Sequence, residues 1–259
     1  MYDLSGRIAV VTGGGSGIGR ATSLALASGG ASVVVADIDE AAGEGTVDLI
    51  ANEGGAAGFV KTDVTVWDDI EGMVTFTEER FGGLDILHNN AGINAGWPRF
   101  PNAPRERWDR TVAINLWAVI AGTQAAVPAM RRRGGGVIIN SASMAGLVTY
   151  GTEPIYGATK SGVVAFTRAL AYLKDEDNIR VNCICPTFVD TALPRRRLDD
   201  MPPDERERWS AALDRIPMLR PGEVAEAVLE LVRDESLNGA VMAVEHGKAR
   251  RLVAEPALT

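Results

Sequence analysis

The chain has 259 residues, of which 46% are hydrophobic and 23% charged, and its formal net charge is −8. This length and composition suit one α/β domain over residues 1–259, and the acidic balance argues against nucleic acid, which selects basic surfaces. No window is apolar enough to predict a membrane span, and the start, MYDLSGR, lacks a secretion signal. With two histidines and two cysteines, we expect no metal site in this protein, which we predict to be cytoplasmic.

The first predicted strand, Arg7–Thr12, runs into a glycine-rich turn that opens a helix ending near Gly29. Glycines let the backbone approach a pyrophosphate, whose charge then faces the amides of the helix N-terminus. The spacing Gly-x-x-x-Gly-x-Gly differs from the common dinucleotide fingerprint Gly-x-Gly-x-x-Gly. Its place between strand and helix nevertheless favours a nucleotide site over a purely structural turn. The predicted contacts are Gly13, Ser16, Gly17, Ile18 and Gly19.

The second predicted strand, Ser32–Ala36, ends at Asp37. An acid at this place accepts hydrogen bonds from the ribose hydroxyls of adenosine and repels a 2′-phosphate. No arginine follows Asp37 directly, so the sequence favours NAD over NADP. The alternative role, a solvated acid at the end of a strand, suits the neighbouring Asp39 and Glu40 better.

Two further strand ends offer polar groups. The third strand runs into Asp63-Val64, where a side chain and the next amide would meet the adenine edge, although Asp63 would equally cap the following helix. The fourth, Leu84–His88, leads into a turn whose amides are available to a cofactor or to neighbouring backbone. We expect cofactor contacts there from Asn89, Ala91 and Gly92, and we expect His88 to pack rather than catalyse.

A long helix is predicted from about Glu106 to Arg133, and Asn115 interrupts its apolar stretch. A buried asparagine needs partners. Asn115 therefore either bonds backbone or holds a water beside a functional lysine, and its position among the other motifs favours the functional role. The loop before this helix, Ile93–Arg107, would line a substrate entrance.

The fifth strand, Gly136–Asn140, leads to Ser143, and a helical pattern over Ile155–Lys174 carries Tyr156 and Lys160. Residues four apart share one face of a helix. An ammonium ~4 Å from a phenol favours the phenolate by about 4 kcal/mol at a dielectric of ~20, which would bring the phenol's pKa towards neutrality. Such a phenol takes or gives a proton near pH 7 while Ser143 holds the reacting oxygen.

The sixth strand, Ile179–Cys185, places Cys183 and Cys185 on one face as buried, reduced thiols. At its end we predict cofactor contacts from Pro186, Val189 and Thr191. The charged stretch Leu193–Leu213 is predicted to be a helical lid, although its arginine run would also suit a solvated face. A helix over Gly222–Arg233 and a seventh strand over Gly239–Val244 follow; the tail carries no clear pattern.

Strands that alternate with helices predict a single-domain, Rossmann-type, doubly wound sheet of seven parallel strands with helices on both faces. Ligands bind such sheets at the carboxyl ends of the strands. Gly13, Asp37, Asn89, Ser143 and Pro186 all follow strand ends, and their convergence argues for one site.

These motifs together resemble the short-chain dehydrogenase/reductase family along nearly the whole chain. The matching segments are TGGGSGIG (Thr12–Gly19), Asp63-Val64, NNAG (Asn89–Gly92), Asn115, Ser143, YGATK (Tyr156–Lys160) and Pro186 to Thr191. The resemblance implies an NAD(P)-dependent oxidoreductase that interconverts a secondary alcohol and a ketone. Its catalytic residues would be Asn115, Ser143, Tyr156 and Lys160. It also implies a homo-oligomer built on the helices that contain Asn115 and Tyr156.

Within that family, CPTFVDTAL (Cys185–Leu193) and SLNGAVMAV (Ser236–Val244) resemble the NAD-dependent 15-hydroxyprostaglandin dehydrogenases. The chain lacks the Thr-Gly and Asp-Gly-Gly signature of many tetrameric members, which favours a dimer. Pro186-Thr187 replaces the usual Pro-Gly, and Glu153 replaces a substrate-contacting glutamine. The predicted contacts with a small alcohol or ketone substrate are Ser143, Tyr150, Glu153, Tyr156 and Phe188.

In the implied mechanism, Tyr156 removes the proton of the substrate hydroxyl, Lys160 promotes the phenolate and binds the nicotinamide ribose, and Asn115 holds a water. Two functions from other classes remain as alternatives. A nucleotide-binding sensor or scaffold without turnover would not need the intact Ser143, Tyr156 and Lys160. A methyltransferase that uses a sulfonium cofactor would not need the Tyr-x-x-x-Lys pair.

Overall fold

A computed structural model describes residues 3–149, 151–196, 198 and 200–255. One sheet of eight strands runs through the molecule in the order β3-β2-β1-β4-β5-β6-β7-β8. The strands are β1 (Ile8–Thr12), β2 (Ser32–Asp37), β3 (Ala57–Lys61), β4 (Ile86–Asn89), β5 (Gly136–Ser141), β6 (Ile179–Pro186), β7 (Val241–Val244) and β8 (Arg251–Leu252).

Helices connect the strands and cover both faces of the sheet. They are α1 (Gly17–Ser28), α2 (Glu40–Asn52), α3 (Trp67–Phe81), α4 (Arg105–Val112), α5 (Ala118–Arg132), α6 (Pro154–Ala169), α7 (Leu173–Asp177), α8 (Ala192–Arg196), α9 (Pro203–Leu213) and α10 (Pro221–Arg233). Between α4 and α5, the helix continues through Ala113–Trp117 in the wider π geometry.

The prediction of a doubly wound parallel sheet is confirmed, because β1 to β7 pair in parallel. One apolar cluster places Leu26 of α1 and Val228 of α10 against one face of the sheet. A second places Met73 of α3 and Met130 of α5 against the other. With both faces covered, central strands read as continuous apolar runs rather than alternating ones.

The predicted count of seven strands was one short. β8 pairs antiparallel with β7 through Met242 and Leu252 and through Ala243 and Arg251. It has two exposed residues, so neither an apolar run nor an alternation marks it in the sequence. The strand therefore depends on its partner, which tertiary folding brings beside it.

The continuous helix Arg105–Arg132 corrects the expectation that no segment could span a membrane. By length and composition it is long and apolar enough, with a hydropathy of 1.4 in its most apolar window. In the fold, 44% of that window is buried, and α5 packs Val127 and Met130 against the sheet. A helix in the core of a folded protein can be as long and as apolar as a membrane-spanning helix, so length and composition alone do not distinguish the two.

Arg180 on β6 closes the end of α10. Its Nη1 donates to the carbonyl oxygens of Leu231, Asp234 and Leu237 at 2.8, 3.0 and 3.1 Å, and its Nη2 donates to that of Val232 at 2.5 Å. The last carbonyls of a helix have no partner within the helix. One buried guanidinium, 6% exposed, therefore satisfies several of them at once.

We expect the Arg180→Met variant to lose about 3 kcal/mol of its free energy of unfolding, because buried carbonyls would be left without donors. Urea denaturation followed by circular dichroism measures the loss. The matched control is Arg80→Met, since Arg80 is exposed and lies over the ring of Phe81. Equal losses in the two variants would contradict the role of Arg180 as a helix cap.

Candidate active site

A cavity of about 830 Å³ opens at the carboxyl ends of the parallel strands, where sheets of this type bind ligands. Most of the predicted site residues line it. They are Gly13, Ser16, Gly17, Ile18, Asp37, Asp63, Val64, Ala91, Gly92, Ser143, Glu153, Tyr156, Lys160, Pro186, Phe188, Val189 and Thr191. Gly19, Asn89 and Asn115 do not line the cavity. The predicted substrate contact Tyr150 lies outside the described residues.

The glycine-rich turn presents the N-terminus of α1 to the cavity. Gly13 and Gly17 have φ angles of 63° and 51°, which side-chain-bearing residues rarely adopt. In the described structure, the Ser16 side chain does not cap α1, and the first turn of α1 contains no acid. The positive end of the helix dipole therefore faces the cavity with no acid in its own first turn, which fits a diphosphate.

Gly19 packs directly against the backbone of this turn. A methyl group at Gly19 would collide with the carbonyl of Gly13 and would lie 2.6 Å from Nδ2 of Asn90. That Nδ2 donates to the carbonyls of Thr12 and Gly13 at 2.9 and 3.3 Å. Gly19 therefore permits close packing within the turn, and Asn90 ties the turn to the end of β4.

Asn90, rather than the predicted Asn89, presents its side chain to the cavity. The side chain of Asn89 turns inward, where Nδ2 donates to Thr123 Oγ1 at 3.2 Å and to Asn140 Oδ1 at 3.0 Å. Asn90, the next residue, lines the cavity. Successive side chains of a strand point to opposite faces, so two adjacent asparagines cannot both face the cavity. That alternation is the signal that would have separated them.

Asp37 at the end of β2 is held by backbone amides. Its Oδ2 accepts the N–H of Gly15 at 2.8 Å, and its Oδ1 accepts that of Asp39 at 3.0 Å. The carboxylate is thus fixed beside the glycine-rich turn at the cavity wall. Arg20 of α1 is directed elsewhere, since its Nε donates to Thr46 Oγ1 at 3.0 Å.

Asp63 does not cap α3, so the capping alternative was wrong. Its Oδ1 accepts the N–H of Thr65 at 2.9 Å and the hydroxyl of Thr65 at 2.7 Å. The helix α3 begins only at Trp67, with Val66 as its N-cap. The Asp63 side chain instead closes a short turn at the cavity wall. Contact of Asp63 and Val64 with an adenine stays a prediction.

Tyr156 and Lys160 lie on the same wall of the cavity, as their spacing predicts. Nζ of Lys160 lies 5.8 Å from the centre of the Tyr156 ring and donates to the carbonyl of Ser141 at 2.7 Å. Burial lowers the pKa of Lys160 from 10.5 to about 8, so the amine remains mainly cationic at neutral pH. Oγ of Ser143 accepts the N–H of Ala145 at 3.1 Å, which leaves the hydroxyl hydrogen available to donate to a ligand.

The lowered pKa of Lys160 predicts a pH-dependent stability. Between pH 8 and 10.5, the folded chain has released this proton while the unfolded chain still binds it, so the free energy of unfolding rises with pH in this window. At ~1.4 kcal/mol per pKa unit, the rise is about 3 kcal/mol. We expect Lys160→Met to lack this rise when urea denaturation is repeated across that range.

Lys248→Met is the control, because Lys248 is 66% exposed and its variant should keep the rise of the wild type. Parallel curves for wild type and Lys160→Met would show that burial does not depress the pKa of Lys160.

Asn115 lies in the π-helical segment and is fully buried. Its Oδ1 accepts the N–H of Ile93 and its Nδ2 donates to the carbonyl of the same residue, both at 2.8 Å. Of the two predicted roles, the structure shows the bond to backbone. A methyl group at Gly92 would lie 3.4 Å from Asn115 Oδ1 and 3.5 Å from Lys160 Nζ, so the two side chains flank Gly92. The water-holding role stays a prediction.

His88 lies behind the cavity wall that carries Tyr156 and Lys160, and its ring packs there, as expected. Its Nε2 is 2.9 Å from Oγ of Ser141, the residue whose carbonyl receives Lys160. Burial lowers the pKa of His88 to about 3, so the ring is neutral. Ser141 is a second residue that sequence analysis missed, because it acts through its backbone carbonyl, which no residue pattern reveals.

Two segments meet over the far end of the cavity. Nδ2 of Asn94 donates to the carbonyl of Leu193 at 2.7 Å, and Nη1 of Arg107 donates to Asp200 Oδ2 at 2.7 Å. The entrance loop is therefore tied to the charged stretch that begins at Leu193. Trp209 of α9 also lines the cavity. Movement of this stretch as a lid stays a prediction.

Residues 7–202 match the family described as short chain dehydrogenase. The chain is 36% identical over 250 residues to an uncharacterized oxidoreductase of Thermotoga maritima, across 95% of this chain and 98% of the relative. It is 32% identical over 260 residues to mouse 15-hydroxyprostaglandin dehydrogenase (NAD(+)), across 95% and 92%. The crystal structure of levodione reductase matches with a TM-score of 0.87 and 29% identity, across 95% of this chain and 98% of that one. These likenesses confirm the resemblance found in the motifs: the chain belongs to the short-chain dehydrogenase family, whose members are nicotinamide-dependent oxidoreductases that act on CH–OH groups.

Proposed function

We propose that this protein is an NAD-dependent dehydrogenase that interconverts a secondary alcohol and a ketone, with Tyr156 as the acid/base. One observation carries the proposal: the cationic Nζ of Lys160 lies 5.8 Å from the centre of the Tyr156 ring. Both side chains line the cavity that the N-terminus of α1 also enters. A general base, a hydrogen-bond donor and an anion-binding turn thus share one space.

The residues of the cavity fit a nicotinamide dinucleotide. The uncapped N-terminus of α1 would hold the diphosphate, and Asp37 would hold the adenosine ribose through its two amide-fixed oxygens. Pro186, Val189 and Thr191 form the wall at the end of β6, where the nicotinamide end would bind. When bound, the nicotinamide supplies the acceptor or donor of hydride.

In the direction of oxidation, the chain's own residues handle the substrate hydroxyl. Ser143 donates its hydroxyl hydrogen to the substrate oxygen, because the N–H of Ala145 already occupies one acceptor position of Oγ. Tyr156, as the phenolate, accepts the proton of the substrate hydroxyl. Lys160 stabilises the phenolate through its charge, and the carbonyl of Ser141 keeps its ammonium in place.

Three observations support NAD over NADP. Asp37 carries a negative charge where a 2′-phosphate would bind, and the hydrogen bond from Gly15 keeps the carboxylate there. The mouse relative is named for NAD(+). The direction of the Arg20 side chain agrees, since its Nε donates to Thr46.

We also infer a homodimer built on the helix Arg105–Arg132 and on α6. Val112, Trp117 and Ile120 are 38%, 38% and 37% exposed along the first of these helices. Their exposure supports contact with a second copy of the chain. Light scattering coupled to gel filtration measures the assembly, and the dimer is expected rather than the tetramer.

The test of the proposed function is a screen of secondary alcohols with NAD that follows the absorbance of the NADH formed. Hydroxylated fatty acids, steroids and cyclohexanols supply the panel. We expect turnover of at least one class with NAD and weaker turnover with NADP. Tight binding of NADH without turnover of any alcohol or ketone would instead favour a nucleotide-binding sensor.

A further inference from the structure

His88 is a fully buried, neutral side chain on β4 that the proposed proton transfer does not use. It does not line the cavity. Its Nε2 lies 2.9 Å from Oγ of Ser141 on β5. Its Nδ1 has no hydrogen-bond partner among the residues that the structure describes. A neutral imidazole carries one hydrogen, on either Nε2 or Nδ1, so the surroundings of the ring decide which nitrogen holds it.

The polar groups beyond Ser141 decide this choice. Oγ of Ser141 lies 3.5 Å from Oδ1 of Asn90. The Nδ2 end of that amide faces the other way, because it donates to the carbonyls of Thr12 and Gly13. An amide oxygen only accepts, so the hydroxyl hydrogen of Ser141 is directed to Asn90. Oγ of Ser141 then accepts a hydrogen from His88, which places the ring hydrogen on Nε2.

The opposite direction would leave more groups unpaired. If the Ser141 hydroxyl donated to Nε2 of His88, the ring hydrogen would lie on Nδ1, for which the described part of the chain offers no acceptor. Oδ1 of Asn90 would lose its donor as well. A buried polar group without a partner costs its full desolvation free energy. The donors therefore run from His88 through Ser141 to Asn90, and only Nδ1 of the ring is left unpaired.

The far end of this series of hydrogen bonds is the glycine-rich turn. A methyl group at Gly19 would lie 2.6 Å from Nδ2 of Asn90, so the amide packs closely beneath the N-terminus of α1. A side-chain amide has two orientations, and only one of them presents Nδ2 to the carbonyls of the turn. The hydroxyl hydrogen of Ser141 favours this orientation, because the flipped amide would direct its own hydrogens against that donor.

We propose that His88 is a positioning residue for cofactor binding. It donates to Ser141, which donates to Asn90, and the Asn90 amide holds the glycine-rich turn in the shape that receives the diphosphate. The inference rests on the part of the proposed function that places a nicotinamide dinucleotide at the N-terminus of α1. It is independent of Tyr156 as the acid/base and of the identity of the alcohol.

The first test compares His88→Met with His88→Gln in fluorescence titrations of NADH and NADPH. The two new side chains are similar in length, but only glutamine brings an N–H that can replace the one on Nε2. For the dinucleotide that the wild type binds better, His88→Met should raise the Kd about fivefold, as the loss of one hydrogen bond implies, while His88→Gln should stay within about twofold. Use of both dinucleotides separates this result from the preference for NAD over NADP.

Ser141→Ala removes the middle of the series and should raise the Kd by a similar factor. Because His88 acts through Ser141, the double variant His88→Met/Ser141→Ala should bind no more weakly than either single variant. The backbone of Ser141 is fixed by its pairing with Ile184, so the carbonyl that receives Lys160 does not depend on His88. In steady-state assays, His88→Met should therefore raise the KM for the cofactor about fivefold and lower kcat less than about twofold.

The control for lost stability is Thr77→Val. Thr77 is buried on α3 outside the cavity, and its Oγ1 donates to the carbonyl of Met73 at 2.7 Å. Loss of this bond should destabilise the fold, which urea denaturation without cofactor measures, and should leave the Kd of the dinucleotide unchanged. Equal Kd values for His88→Met and the wild type would overturn the role of His88 while the proposed reaction stands. Weaker binding in His88→Met, with no turnover of any alcohol by the wild type, would support that role and count against the proposed reaction.

A second test observes the ring directly. The chain has two histidines, His88 and His246, so the His246→Gln variant leaves only the ring signals of His88. A two-dimensional correlation of the ring ¹⁵N and ¹H nuclei distinguishes the two neutral tautomers, and we expect the hydrogen on Nε2. A hydrogen on Nδ1 would reverse the direction of the hydrogen bonds and overturn the proposal, even if His88→Met failed to fold.

Discussion

Replacement of Tyr156 by phenylalanine should lower turnover by about 10³-fold, because general acid–base catalysis by one side chain typically contributes 10²- to 10⁴-fold. The ring and its packing remain, so the affinity for NADH should stay within about twofold of the wild type. Steady-state assays with the best alcohol of the panel, and fluorescence titration of NADH, measure the two quantities.

The matched control for that variant is Tyr172→Phe. Tyr172 is 51% exposed, immediately before α7, and it does not line the cavity. Its loss of a hydroxyl should leave turnover unchanged. If Tyr156→Phe kept its turnover, the proton would have to pass through another group, and the assignment of Tyr156 would fail.

The second large effect is expected at Asp37. We expect Asp37→Ala to lower the ratio of kcat/KM for NAD to that for NADP by about 10²-fold, since hydrogen bonds to a charged group contribute about 1.5–3 kcal/mol and the repulsion of a 2′-phosphate disappears. Most of the change should appear as a higher KM for NAD and a lower KM for NADP. Parallel assays with the two cofactors measure it.

Glu44→Ala provides the control for charge alone. Glu44 is an exposed acid of α2 outside the cavity, so its removal changes the net charge equally. The cofactor ratio of this variant should match that of the wild type. An unchanged ratio in Asp37→Ala would remove Asp37 from the selection of the cofactor, whatever the cofactor proves to be.

The parts of the site that the sequence predicted are those that topology decides. The carboxyl ends of parallel strands meet at one edge, so Asp37 after β2 and Ser143 after β5 had to converge once the strands were recognised. Helical spacing likewise placed Tyr156 and Lys160 on one wall. These inferences needed only the type and order of the elements, which long apolar runs mark clearly.

The parts that were missed depend on contacts between distant segments. The choice between Asn89 and Asn90 follows from the phase of the strand. The possibility that Asp63 caps α3 fails because its carboxylate bonds Thr65 rather than an amide of the helix. The two-residue strand β8 exists only beside β7. No short sequence pattern marks any of these features. Each of them can be recognised only from the segment that folding brings beside it.

The π turn at Ala113–Trp117 has a consequence for engineering. A π turn holds one residue more than the corresponding α turn, and each residue of an α-helix turns the chain by about 100°. The wider turn therefore absorbs the extra residue, so α4 and α5 keep the facing that they would have in a uniform α-helix one residue shorter. A further inserted residue would have no such turn to absorb it and should rotate α4 against α5 by about 100°, whereas a single deletion should leave the two helices in phase.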